Sequence, residues 1–255
     1  MEIFVLASGS KGNMTYLKVG GQKIFIDAGI SYQKVKQKMM DYHENIYDVK
    51  TLLITHEHHD HIMGLKALLK QGAIEDIYLT KGTFDHLAQD VVALFPQTHI
   101  IEADKSFNIH DIHIVPFMLS HDASEPVGFV IEDSDHKFVL LTDTGYVDES
   151  YIPLLSGAHI YLVEANHNPF TLFQSKRPFL LKKRIVGEKG HLSNEDAARL
   201  MNLLVKDQSI WVVSHISEDC NTIEDIDEAI VKAFDDPTKV VVYYASQEGL
   251  PVISL

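Results

Sequence analysis

Cysteine is almost missing from this chain: Cys220 stands alone among 255 residues. That excludes a disulfide scaffold and any cysteine-based zinc cluster, and it suits a reducing cytoplasm, where the chain is expected to reside. Long apolar runs are missing too. Stretches such as 138–141 are far too short to span a bilayer, so no membrane insertion is expected. The opening Met-Glu-Ile-Phe-Val-Leu-Ala-Ser has no basic region, which argues against a secretory signal. Basic residues are few, 22 Lys+Arg against 36 Asp+Glu, and the formal charge of -14 argues against a protein that coats nucleic acid. There is no internal repeat, low-complexity segment or Pro/Gly/Ser linker. With 45% apolar and 23% charged residues the chain can bury a core and is not a disordered one. Histidine, at 15 residues, is in excess.

Short runs rich in Val, Ile, Phe and Tyr, bounded by Gly, Asp, Asn or Ser, predict strands at 3–7, 16–19, 23–27, 51–55, 112–117, 127–132, 138–142, 159–164, 210–214 and 240–244. Helical periodicity predicts helices at 32–40, 62–70, 83–94, 194–204 and 223–234. Ser193 and Thr222, each followed by acids, read as helix N-caps. A single mixed α/β domain over 1–255 is the economical expectation.

The histidines concentrate in Thr55-His56-Glu57-His58-His59-Asp60-His61, directly after an apolar strand. His56 and His58 are two residues apart, so in extended backbone they point the same way and can share one cation. His59 alternates away. Asp60 and His61 fall where the chain must turn into a helix and can face a second cation. Imidazole and carboxylate together suit zinc, manganese or iron. Further donors end other predicted strands: His121 in Ser120-His-Asp122, Asp143 in Thr142-Asp-Thr-Gly145 and His215 in Ser214-His-Ile-Ser217. Singly, each reads equally as a turn or capping residue; beside the cluster they read as ligands, with Asp143 the attractive bridge between two ions. Asp27, followed by Ala-Gly, either holds a ligand loop by hydrogen bonds or caps the turn at Gly29.

His56-x-His58-x-Asp60-His61, with Asp27, His121, Asp143 and His215 in that order, resembles the metallo-β-lactamase-fold hydrolases. The resemblance implies an α/β fold of the αββα four-layer sandwich type with two metals at the sheet edges. It assigns His56, His58 and His121 to one metal, Asp60, His61 and His215 to the other, and Asp143 to both. His58 stands where flavo-diiron proteins usually carry glutamate, and His61 where many secreted zinc β-lactamases carry arginine. Gly190-His191-Leu-Ser193 is similar to the catalytic His-Ser/Thr element of ribonuclease Z. The strings from Ala7 to Asn13, Ser120 to Pro126, Thr142 to Tyr146, Glu164 to His167 and Arg184 to Asn194 look like the YycJ/WalJ branch. That bacterial branch is co-inherited with a cell-wall-regulating two-component system, and its members are regarded as nucleases.

The resemblance therefore implies a two-metal hydrolase, with zinc, manganese or iron as the divalent pair. A bridging water of lowered pKa would attack a phosphodiester at a DNA or RNA end. Asp60 would also orient that water, and His191 would act as general acid. A solvent-facing histidine at a helix entrance is the plain alternative for His191. His167 either contacts substrate, supports a ligand or lies in a surface turn. Ser8, Ser10 and Asn13 lie in a glycine-punctuated loop that either offers N–H groups to phosphate or is a simple turn. Between 176 and 189 lie six basic residues, among them Lys182, Lys183 and Arg184, with Phe173 and Phe179 interleaved. They form either a solvated face or a phosphate-holding surface on which a phenylalanine stacks a terminal base. A nucleic-acid substrate is thus expected, and a homodimer is possible. Two other readings stay open: a small ester, thioester or cyclic phosphodiester hydrolase, and a metal-binding regulator linked to a two-component system.

Overall fold

Strand-forming residues dominate the opening of the chain in the computed structural model, which describes all 255 residues, Met1–Leu255. β1 (Glu2–Ala7), β2 (Met14–Val19) and β3 (Gln22–Ile26) form an antiparallel meander, and Ile253–Ser254 pairs with β1 at its edge. β4 (Thr51–Leu53), β5 (Asp76–Thr80) and β6 (Gln97–Ile101) then add in parallel, giving a mixed sheet. Each parallel step needs a crossover. These are α1 (Tyr32–Asp41), the pair α2 (His59–Ile62) and α3 (Leu65–Leu69), and the pair α4 (Lys81–His86) and α5 (Gln89–Val92). Phe4, Tyr16 and Phe25 form a row of tilted and edge-on rings, with centroids 5.1 and 5.7 Å apart, and Val35, Met39, Leu65 and Leu68 of the helices share their core. β7 (Phe107–Ile109) and β8 (Ile112–Met118) form an antiparallel hairpin. These elements make up the first of two compact units, Met1–Met118 with Ala123–Val127 and Ser246–Leu255.

The second unit comprises Leu119–Asp122 and Gly128–Ala245. β9 (Val127–Glu132) runs antiparallel to β10 (Lys137–Leu141); β10, β11 (Ile160–Glu164), β12 (Ser209–Ser214) and β13 (Val240–Tyr244) are parallel. The central strands read as unbroken apolar runs, as parallel strands covered on both faces must. Trp211 on β12, the lone tryptophan, is fully buried and its indole N–H donates to the Val163 carbonyl at 3.1 Å. The helices here are α6 (Ile152–Leu155), α7 (Pro169–Gln174), α8 (Phe179–Ile185), α9 (Asn194–Leu204) and α10 (Ile223–Ala233). Ser193 and Thr222 cap α9 and α10 as expected, accepting from the N–H groups of Asp196 and Asp225. No helix is long and apolar enough to cross a membrane.

Every predicted strand is present within a residue or two at its ends, but three expectations change. The helix expected over 62–70 shrinks to α3, with the separate α2 ending at Ile62, because the chain breaks at Gly64. Its N–H donates to the Ala28 carbonyl at 2.8 Å, and a Cβ there would fall 1.8 Å from the Ile30 carbonyl oxygen. The helix expected over 83–94 also splits, with Leu87 and Ala88 extended and Leu87 buried. The strand expected over 51–55 ends at Leu53, so His56 and His58 lie outside the ladder. β5, β6 and the short helices α7 and α8 carried too few apolar residues in either period to stand out.

Candidate functional site

In the first unit the ligand-type residues follow β4. β4 ends in the loop 54–58, and His58 occupies the N-cap position of α2. His56 and His61 are buried, and their rings lie 4.1 Å apart; the rings of His56 and His58 lie 4.7 Å apart. Asp60 Oδ2 is 3.6 Å from His61 Nε2. His59 is exposed, as its alternation with His58 predicts. The cluster is held from behind by Asp27. The residue sits just past β3 in left-handed backbone (φ 63°), which turns its carboxylate toward the loop. There it accepts from the Thr55 N–H at 2.9 Å, from the Thr55 hydroxyl at 2.9 Å and from His61 Nδ1 at 2.8 Å. Thr55 Oγ1 in turn lies 3.0 Å from His56 Nδ1. A carboxylate only accepts, so Nδ1 of His61 carries the hydrogen, and with Thr55 donating to Asp27 the Nδ1 of His56 does too. Both rings are thereby oriented to present Nε2 as a lone-pair donor. Of the two readings of Asp27, loop support is the one this geometry favours. Thr55 went unnoticed in the sequence, as did Glu57, whose carboxylate accepts from the Ser124 N–H at 2.7 Å and pins the loop between two ligand-type histidines.

The glycine-punctuated loop spends most of its backbone donors on the chain itself. The N–H groups of Ser8, Gly9, Lys11, Gly12 and Asn13 all donate to acceptors within the chain. Asn13 instead uses its amide on the cluster, reaching Asp60 Oδ2 and His61 Nε2 at 3.1 Å each. Ser8 is buried and Ser10 is exposed. Gly29 permits this approach: a Cβ there would lie 1.8 Å from the Asp60 carbonyl oxygen.

In the second unit, His121, Asp143 and His215 end separate segments and meet. Asp143 Oδ1 is 3.4 Å from His215 Nε2, 4.0 Å from His121 Nε2 and 3.7 Å from His191 Nδ1. Asp143 and His215 are also left-handed, with φ 61° and 50°. His121 Nδ1 faces the Gly190 carbonyl at 3.2 Å, which leaves its Nε2 as a donor atom. The Asn166 amide donates to the His215 carbonyl at 2.8 Å and fixes that turn. His191 is half-buried, its ring 5.0 Å from that of His215, and its Nδ1 lies 3.0 Å from Glu164 Oε2. Glu164 is fully buried at the end of β11, and its other oxygen accepts from the Thr144 and Leu192 N–H groups at 2.8 and 3.2 Å. Its position at the end of an apolar strand is the one signal for it that the sequence carries. The solvent-facing alternative for His191 does not survive this contact.

The remaining expectations fare unevenly. His167 is not in a surface turn. It is buried, its carbonyl accepts from the Asn194 N–H, and burial pushes its imidazole down to about 4, so it is neutral and offers no charge to a phosphate. Lys182 is buried, with its ammonium donating to the Phe173 and Ser175 carbonyls at 2.7 and 2.6 Å; it fastens the C-terminus of α7 and is committed there. Arg184 pairs with Asp122 at 2.9 Å, beside His121. Lys183 is exposed.

Residues 22–216 match the β-lactamase superfamily domain. The chain is 34% identical over 223 residues to a Bacillus anthracis protein named exodeoxyribonuclease YycJ, covering 86% of this chain and 84% of that one. It is 36% identical over 224 residues to exodeoxyribonuclease WalJ of Streptococcus pneumoniae, covering 86% and 83%. Among solved structures, the metallo-β-lactamase fold protein YhfI from Bacillus subtilis superposes with a TM-score of 0.74 at 15% identity over 99% of both chains. Human tRNase Z, short form, does so at 0.65 and 20% identity, over 86% of this chain and 93% of that one. At such identities the likeness is one of fold. That fold and the clustering of histidines with acidic residues fit divalent-metal binding.

Proposed function

Because the chain belongs to the metallo-β-lactamase superfamily and shares about a third of its residues with the YycJ and WalJ proteins, we propose that it is a two-metal phosphodiesterase acting on DNA ends. The expected α/β fold agrees with that membership. His56, His58, Asp60, His61, His121, Asp143 and His215 are the proposed metal donors. Their chemistry fits: imidazoles with Nδ1 engaged by Thr55, Asp27 or Gly190, joined by carboxylates. Divalent ions held by such a set supply Lewis acidity and make water acidic enough to attack near neutral pH.

The observation that carries the reading is the Glu164–His191 pair. The Glu164 carboxylate fixes the hydrogen on Nδ1 and orients the ring, so His191 can deliver a proton from Nε2 to the leaving oxygen. A nucleoside alkoxide is a poor leaving group and needs that proton. Asp60, steadied by the Asn13 amide, orients the attacking water.

End-labelled single- and double-stranded DNA and RNA, incubated with manganese or zinc and then with chelator, test the proposal. Metal-dependent shortening of DNA is expected, and His191→Ala should lower turnover about a hundredfold or more with the metal content unchanged. No cleavage of any polymer, with hydrolysis of a small thioester instead, would overturn it. Collapse of metal content in His191→Ala would show the histidine to be a ligand.

A further inference from the structure

On α7, α8 and the turn between them, Phe170, Phe173, Phe179 and Leu180 are 69, 52, 69 and 79% exposed. The chain has 12 phenylalanines, and all the others are buried or half-buried. Burying these side chains would have stabilised the fold by about 1.5–3 kcal/mol each. The helices instead seat Leu172, Ile185 and, in part, Leu181 in their small core with Cys220, and turn the aromatic residues outward. Such a patch marks a surface that is covered in use.

The charges around it indicate by what. Arg177 pairs with Asp219, Arg184 pairs with Asp122 and Lys182 is fastened to carbonyls. Lys176, Lys183 and Lys189 are exposed and form no ion pair. Three unpaired ammonium groups among three flat, solvent-facing rings complement a polyanion whose aromatic bases are accessible. A duplex hides its base faces, whereas a single strand offers them. A second copy pairing through this same face would bring matching rings but would also set the three lysines against their own like charges. The face also leads to the proposed acid: the Ile185 carbonyl, at the end of α8, accepts from the His191 N–H at 2.9 Å.

We propose that the α7–α8 face is a stacking platform for single-stranded DNA, holding bases on Phe173 and Phe179 and phosphates on Lys176 and Lys183 while the end of the strand lies toward His191. The choice of DNA rests on the phosphodiesterase reading, but the binding is measured without turnover. Stacking of this kind is tolerant of sequence, since every base has a π-face.

Fluorescence anisotropy of the metal-loaded full chain, with a labelled oligothymidine strand made cleavage-resistant by phosphorothioate linkages, provides the test. Phe173→Ala with Phe179→Ala should weaken binding about tenfold or more per ring. A strand of abasic residues should bind weakly from the outset and not respond to those changes. Lys176→Gln and Lys183→Gln should each flatten the log–log salt dependence by about 0.7. Val231→Ala, an exposed apolar residue of α10, is the control and should change nothing. Unaltered affinity in the phenylalanine variant, with an unchanged melting temperature, would overturn the platform. So would a native dimer that the variant splits into monomers, since the face would then be covered by a second copy. Failure of the nuclease reading shows separately, as absent cleavage alongside intact binding.

Discussion

Asp27, Asp143 and His215 occupy left-handed backbone at the ends of three strands, a conformation that costs roughly 1–2 kcal/mol for a residue other than glycine. Aspartate and histidine tolerate it better than β-branched residues do, and it swings the side chain out of the strand's alternation. Glu164 works by another route, from regular strand backbone, with both oxygens committed to hydrogen bonds. Glu164→Gln keeps its volume and an acceptor for the Thr144 and Leu192 N–H groups, but it sets an amide where Nδ1 of His191 needs an acceptor. Turnover on DNA should fall about a hundredfold or more, while a p-nitrophenyl phosphodiester, whose leaving group needs no proton, should lose far less. Metal content should stay constant. Equal losses on both substrates would remove His191 from the proton-donor position.

At the scale of elements, the loop after β4 depends on close backbone contact. Ala28 N–H donates to the His61 carbonyl and Asn13 N–H to the Asp60 carbonyl, both at 2.7 Å, with Gly29 between them. Gly29→Ala should therefore destabilise the protein by roughly 2 kcal/mol or more and lower its metal content, as read by urea unfolding and elemental analysis. Unchanged metal binding would show that the loop adjusts. The ligand-type residues were legible because imidazole and carboxylate cluster after buried apolar strands, a pattern that few other structures require. Asp27 was legible as a support for the same reason. Thr55, Glu57 and Glu164 were harder to see, since a threonine, a loop acid and a strand-end acid are common without any duty, and only proximity assigns one. Lys182 misled because a basic run does not reveal which ammonium turns inward to carbonyls. The helix breaks at Gly64 and Leu87 were hidden because the apolar spacing continues across them while distant backbone dictates the stop.

At the scale of the whole molecule, acid stability has an identifiable contributor away from the metal donors. Burial alone would push the Glu44 carboxyl up, but hydrogen bonds from Lys23, Lys18 and Tyr16, at 2.8, 2.9 and 2.9 Å, together pull it down to about 2. A carboxyl with a depressed pKa stabilises the fold above its unfolded value, near 4.5, and the contribution is lost as pH falls toward 2. It amounts to about 3 kcal/mol. Glu44→Gln should be less stable than the native chain by that order near neutral pH, with the gap narrowing below pH about 4. A gap that stays constant into acid would assign the effect to packing. Trp211 lends this molecule a further property. As the one indole of the chain, buried on β12 two strands from the β9–β10 hairpin, it makes emission excited selectively at the red edge of protein absorption a reporter of the second unit alone. Tyrosine signals at shorter wavelengths mix both units, five of the ten tyrosines lying in each, so the indole alone isolates the melting of one half from that of the whole.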